Sequence, residues 1–261
     1  MSAIRVEPGG VLTAPDPVLG FTYLPGRFKV TFDDGDSWVL THRLDSLRIA
    51  RPVDADDAFR GRPGVWIFGC SFVHGWGLND TETLPWKVQA RLPGFDVTNF
   101  GVGGYGTVQS LLQFRRSRSR KPSPRIAIIA YAGFHDERNI LSRRWRKGGY
   151  EYAHLGTTAT PCVCLEGDGL RFDFDLALAF AREATDAGAR PVVAGISREG
   201  ETEQMLRFAR DHGIASVDIS VDLTQRANRI RWDGHPSAVA NDKSAERLTA
   251  FLATLGADGT R

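Results

Sequence analysis

From residue 64 onward, short apolar runs alternate with amphipathic stretches, and that alternation restricts the chain to very few folds. Residues 125–131 (RIAIIAY) form the clearest run. Nothing polar interrupts it after Arg125, so it reads as a strand buried on both faces. Similar runs occupy 65–68, 95–100, 191–196 and 215–219. Helical stretches fall between them. Pro85 suits a first helical position before residues 86–92. Thr107 is placed to cap a helix through Phe114, and 175–187 ends at Gly188, a residue suited to C′. Residues 203–211 form another helix, and Pro236 is expected to open a last one to about Leu255. Strands alternating with helices predict an α/β fold of three layers, α/β/α, around a parallel sheet.

Residues 1–60 follow a different rhythm. Polar and apolar residues alternate over 27–32, Asp33, Asp34, Gly35 and Asp36 offer a tight turn, and Trp38 to Thr41 continues the pattern. That is a β-hairpin signature. The expected organisation is therefore a small β-rich extension over 1–60 and a main α/β domain over 61–261. Residues 142–173 form an insertion containing Trp145, Tyr150 and Tyr152 among several basic residues, with a hairpin expected around Gly167, Asp168 and Gly169. Long insertions of this type commonly wall a binding site.

Charge excludes some partners. The 33 basic and 31 acidic side chains nearly cancel, so nothing favours nucleic acid or an anionic membrane. The local basic run Arg115, Arg116, Arg118, Arg120 and Lys121 reads as a solvated helix end. Cys70, Cys162 and Cys164 are too few and oddly numbered for a disulfide framework. C-x-C alone makes no zinc site. The first residues lack an apolar leader, and no stretch reaches the ~18 apolar residues of a membrane span, so a cytoplasmic protein is expected.

Four motifs fall where strands end, the side on which parallel sheets bind ligands. Gly69-Cys70-Ser71 follows the first main-domain strand; a serine there can expose its hydroxyl, but the triplet alone is weak. Asp233-Gly234-His235-Pro236 lets one loop present an imidazole and a carboxylate that orients it. Asn99 to Thr107 carries four glycines, at 101, 103, 104 and 106, which permit close backbone approach. It formally matches G-x-G-x-x-G. However, it follows the second strand of the domain, and no acidic strand end lies ~20 residues on, which weakens a dinucleotide reading. Gly133 to Asn139 (GFHDERN) clusters polar residues directly after the strand 125–131.

In this order the four blocks resemble the SGNH/GDSL hydrolase family over about 64–255, with looser similarity over 15–60 to members that carry an N-terminal β extension. The resemblance implies a serine esterase or acyl hydrolase. Ser71 would be the nucleophile, His235 the general base and Asp233 the residue orienting it. The Ser71 N–H, Gly103 and His135 would form the oxyanion hole. Gly104 is the alternative to Gly103, and Asn139 ranks below His135. Two positions depart from the family pattern. Cys70 stands for the Asp of the first block, and His135 for the Asn whose amide donates to the oxyanion. Losing one such donor costs about 3–4 kcal/mol of transition-state stabilisation.

Other readings retain parts of this constellation. An O-acyltransferase would use the same nucleophile with water excluded, and a catalytically impaired binding module would keep only the fold. The α/β-hydrolase elbow is absent, because Val73 stands where G-x-S-x-G needs glycine. A metal centre from His74, His135, Asp136, Asp233 and His235 lacks H-x-H or H-E-x-x-H spacing. The expected ligand is a small-molecule, carbohydrate or lipid ester, with no cofactor and no metal. Gly104, Trp145 and Tyr150 are candidate substrate contacts, and Trp76 would also suit a sugar platform or a lipid wall.

Overall fold

A computed structural model describes residues 4–32, 35–139 and 169–257. Its centre is a five-stranded sheet of β6 (Gly64–Gly69), β7 (Asp96–Gly101), β8 (Ile126–Tyr131), β9 (Arg190–Gly195) and β10 (Ala215–Asp218). The spatial order is β10-β9-β8-β6-β7, and every neighbouring pair is parallel. Strand order reverses between β6 and β8, so a crevice opens beyond their carboxyl ends.

β8 shows why its sequence reads as uninterrupted apolar. Successive side chains of a strand point to opposite faces. Ile126, Ile128 and Ala130 join one buried cluster, while Ala127, Ile129 and Tyr131 join the other. Each fully buried isoleucine is worth roughly 1.5–3 kcal/mol. The first cluster is closed by Leu84 and Val88 of α3 (Leu84–Arg91) and by Leu248 and Leu252 of α8 (Ala238–Ala257). The opposite face is covered by α4 (Thr107–Arg118), α6 (Gly169–Asp186) and α7 (Gly200–Asp211) through Leu111, Phe180 and Leu206. The three short helices α1 (Asp56–Phe59), α2 (Ser71–His74) and α5 (Phe134–Asn139) complete the α-helices among the described residues. The result is the three-layer α/β/α arrangement.

The expected hairpin is present as β4 (Gly26–Phe32) and β5 (Ser37–His42), with Phe28 opposite Leu40 and Val30 opposite Trp38. β1 (Ile4–Glu7) adds a third antiparallel strand, and β2 (Thr13–Asp16) with β3 (Gly20–Tyr23) forms a separate two-stranded ribbon. Val30, Trp38 and Leu40 belong to the same buried cluster as Phe68, Phe100 and Phe114 of the main domain. One apolar core therefore runs through both regions.

Several boundaries differ from the sequence reading. α6 starts at Gly169 rather than 175, so Gly169 is helical instead of part of a hairpin; Gly167 and Asp168 lie outside the described residues. Asp173 occupies a fully buried helical position, bonded to Asn139, and a polar residue there hides the helix start from a periodicity reading. α4 runs on to Arg118, and Gly106 rather than Thr107 precedes its first turn. α8 starts at Ala238 after Ser237, whose hydroxyl accepts from the Ala240 N–H, while Pro236 pairs across the loop with Arg229. The basic run is only partly solvated. Arg116 grips both carboxylate oxygens of Asp16 at 2.7 Å, and Arg115 grips Glu183. No helix among the described residues is long and apolar enough to cross a membrane.

Candidate active site

Ser71 is the first residue of the single-turn helix α2, directly beyond β6. As a first-turn donor, its N–H has no intrahelical acceptor. The turn is tight. A Cβ at Gly101, the end of the neighbouring β7, would lie 2.3 Å from the His74 nitrogen, so only glycine lets this strand approach α2. Gly75 closes the helix in the left-handed conformation at φ 85°. Beneath it, the fully buried Arg48 donates to the carbonyls of His74, Gly75 and Leu78, at 2.9, 2.6 and 2.6 Å, and to the Asp80 carboxylate. A guanidinium with several fixed donors suits this collecting role.

The imidazole arrives from the loop between β10 and α8. Ile230 N–H donates to the His235 carbonyl at 2.7 Å and Gly234 N–H to the Ile230 carbonyl, closing a compact loop around Gly234 at φ 78°. His235 Nε2 lies 2.8 Å from Ser71 Oγ. If Nε2 accepts the serine proton, Nδ1 carries the ring hydrogen. Asp233 Oδ2 is 2.9 Å from that Nδ1, but it does not lie along the N–H direction, so Nδ1 has no directed acceptor. The other Asp233 oxygen takes the His235 backbone N–H at 2.9 Å. Asp233 thus shapes the loop and supplies negative charge, while the ring is also held edge-on by Phe72 at 5.3 Å.

The same loop is anchored to the N-terminal sheet. Trp232 stacks on Trp38 at 5.5 Å and packs against Phe32, and Trp38 meets Trp76 edge-on at 5.2 Å. These aromatics carry the extension's packing to the edge of the site.

Ser71 and His235 open onto a cleft of about 640 Å³. Gly103, Gly104, Trp76 and Arg138 line it together with Leu12, Thr13, Ala14, Pro15, Gly20, Phe21 and Tyr23 from the extension. More than half of the lining residues therefore come from the region preceding the α/β domain. The ribbon β2–β3 carries no sequence signal for a site; only its position in space reveals the role.

The structure brings Ser71, His235, Asp233, Gly103 and Gly104 together, and it treats the other expected residues differently. His135 is wholly buried, against Tyr131 and Phe134, and does not line the cleft. Both ring nitrogens are sealed from solvent. Burial first, then Arg138, keep the ring well below its ordinary pKa, hence neutral. The structure thus gives the expected oxyanion role of His135 no support, since the side chain is sealed from the cleft that holds Ser71. Asn139 is committed elsewhere, accepting from the Val108 N–H at 3.2 Å and donating to Asp173 at 2.6 Å. Nor is the Gly103 N–H free, since it donates to the Tyr23 hydroxyl at 3.2 Å. Trp145 and Tyr150 lie outside the described residues.

No family model matches the chain, and no curated protein matches it. Solved structures do. The esterase EstA from Pseudoalteromonas sp. aligns with a TM-score of 0.54 at 11% identity, covering 74% of this chain and 98% of that one. A lipolytic protein of the G-D-S-L family from Veillonella parvula aligns at 0.51 and 12% identity, covering 72% and 96%. The YXIM protein of Bacillus subtilis aligns at 0.53 and 12% identity, over 98% of this chain and 74% of that one. At these identities the likeness establishes the fold: this is the three-layer fold of the SGNH/GDSL hydrolases.

Proposed function

We propose that the protein is a serine-dependent carboxylic ester hydrolase. The observation that supports this most is the 2.8 Å contact between Ser71 Oγ and His235 Nε2 at the mouth of an apolar cleft. In this reading His235 takes the serine proton as Oγ bonds to the ester carbonyl carbon. The carbonyl oxygen becomes an oxyanion facing the Ser71 N–H. His235 then returns the proton to the departing alcohol, leaving an acyl group on Ser71. Water, deprotonated by the same ring, attacks the acyl-enzyme, and the ring passes that proton to Ser71 Oγ as the acyl–Oγ bond breaks and the acid is released. Leu12, Ala14, Pro15, Phe21 and Trp76 would hold an apolar acyl or alcohol portion, with area burial as the source of affinity.

Activity-based labelling tests this. A fluorophosphonate should label the wild-type protein but not Ser71→Ala, and p-nitrophenyl acetate hydrolysis should vanish in the same variant. An unlabelled wild type would leave a binding module of this fold as the better reading.

A further inference from the structure

We propose that the Tyr23 hydroxyl, supplied by the N-terminal extension, is a catalytic oxyanion donor in this enzyme. The inference rests on Ser71 being the nucleophile and adds a residue that none of the four sequence motifs contains.

The Gly103 N–H, which would otherwise face the oxyanion, ends on Tyr23 Oη at 3.2 Å. A phenol that accepts one hydrogen bond still has one to give. Among the described residues the Tyr23 proton has no acceptor, and Tyr23 shares the cleft wall with Ser71 and His235. Its position is suitable: the point a Cβ on Gly103 would occupy is 2.9 Å from Oη and 3.9 Å from Ser71 Cβ. The hydroxyl and Ser71 therefore lie around the same side of Gly103 and line one cleft, which puts Oη on the wall that a carbonyl bound at Ser71 would face.

The ring is also held in place. It packs against His42 at 4.4 Å and His74 at 4.3 Å, two imidazoles joined through their Nε2 atoms at 3.0 Å. Burial keeps both rings neutral; with His42 Nδ1 donating to the Leu24 carbonyl, His42 Nε2 then accepts from His74 Nε2–H. A donor fixed before reaction needs no reorganisation when charge develops. Burial lifts the phenol to about 12, so it keeps its proton at neutral pH. Donation from the Gly103 N–H further polarises the O–H toward an acceptor.

The test is Tyr23→Phe in the full chain, assayed with p-nitrophenyl acetate and a fluorophosphonate beside Ser71→Ala. We expect kcat to fall about 100- to 1000-fold with KM nearly unchanged, as for loss of one oxyanion donor. Unchanged kcat would overturn the proposal, and so would increased kcat, which would mean that the hydroxyl merely plugs the hole. In both cases Ser71-dependent labelling would leave the esterase reading standing. Absence of labelling in wild type would remove that reading instead. Should Tyr23→Phe not fold, a ring-fluorinated tyrosine at position 23 keeps the shape and lowers the phenol pKa. It should bring the alkaline loss of kcat to lower pH; an unmoved alkaline limb would also overturn the proposal.

Discussion

His235 meets its two neighbours with unequal quality. The contact to Ser71 is short and falls within hydrogen-bond geometry, whereas the carboxylate of Asp233 sits close to Nδ1 without lying in line with it. In a serine triad with a directed carboxylate, amide replacement costs ~10,000-fold in kcat through the wrong tautomer. Here the expected cost of Asp233→Asn is about 10- to 100-fold, since Asp233 contributes charge and loop shape more than tautomer control. Steady-state kinetics with a p-nitrophenyl ester decide this, and a loss near ~10,000-fold would restore the full triad role. The burial of His135 leads to a second expectation. His135→Asn, which places the amide of the family pattern in this position, should leave kcat/KM within about 3-fold of wild type, because that side chain faces the core and no oxyanion. A large gain would show that the residue reaches the site after all.

At the level of elements, the two regions are tied by named pairs. Asp16 is partly buried, which favours its neutral form, yet the Arg116 guanidinium and the N–H groups of Leu19 and Val18 hold it down at about 2. A carboxyl depressed from ~3.9 stabilises the fold above that pH, and the contribution is lost as pH falls through about 2. After allowance for solvent screening, Arg116→Ala should cost about 1–2 kcal/mol at pH 7 and much less near pH 2.5, read from urea titrations at both pH values. Gly101→Ala should have a different effect, pushing α2 away from β7 and displacing Ser71; a shift on the order of 1 Å costs ~100-fold in kcat. Most of this architecture can be read from periodicity. The run 125–131 and its companions announce a parallel sheet, and Gly-Cys-Ser and Asp-Gly-His mark strand ends. Periodicity is blind where a polar side chain is buried on a helix, as with Asp173, or where a contact joins residues distant in sequence. Tyr23 and Gly103 are 80 residues apart. Nothing in the local sequence of β3 reveals that its tyrosine lines the same cleft as a serine after β6.

On the scale of the whole molecule, the shared core makes the extension an integral part of one folding unit. Urea unfolding should be a single transition, with far-UV circular dichroism and tryptophan fluorescence coinciding; separate midpoints would mean that residues 1–60 fold on their own. Acid should weaken this unit early. His42, lowered by burial to about 3, and His74 and His135, also lowered chiefly by burial, are neutral when folded but take up protons near ~6.5 when unfolded. The unfolded state then binds more protons, so stability falls as pH drops below ~6.5, by up to ~1.4 kcal/mol per pH unit for each ring. Asp173, raised by burial and by the neighbouring Asp136, acts oppositely, but it is one group against three. Stability measured at pH 7.5, 5.5 and 4.5 should decline in that order, and a flat profile would contradict the neutral pair beneath Tyr23. The stacked indoles of Trp38 and Trp232 add one practical consequence. Two parallel chromophores at this separation couple electronically, and one of them rides on the loop that carries His235. The protein therefore contains its own optical gauge: an acyl group or inhibitor that shifts this loop should alter the near-ultraviolet dichroism, with no label attached.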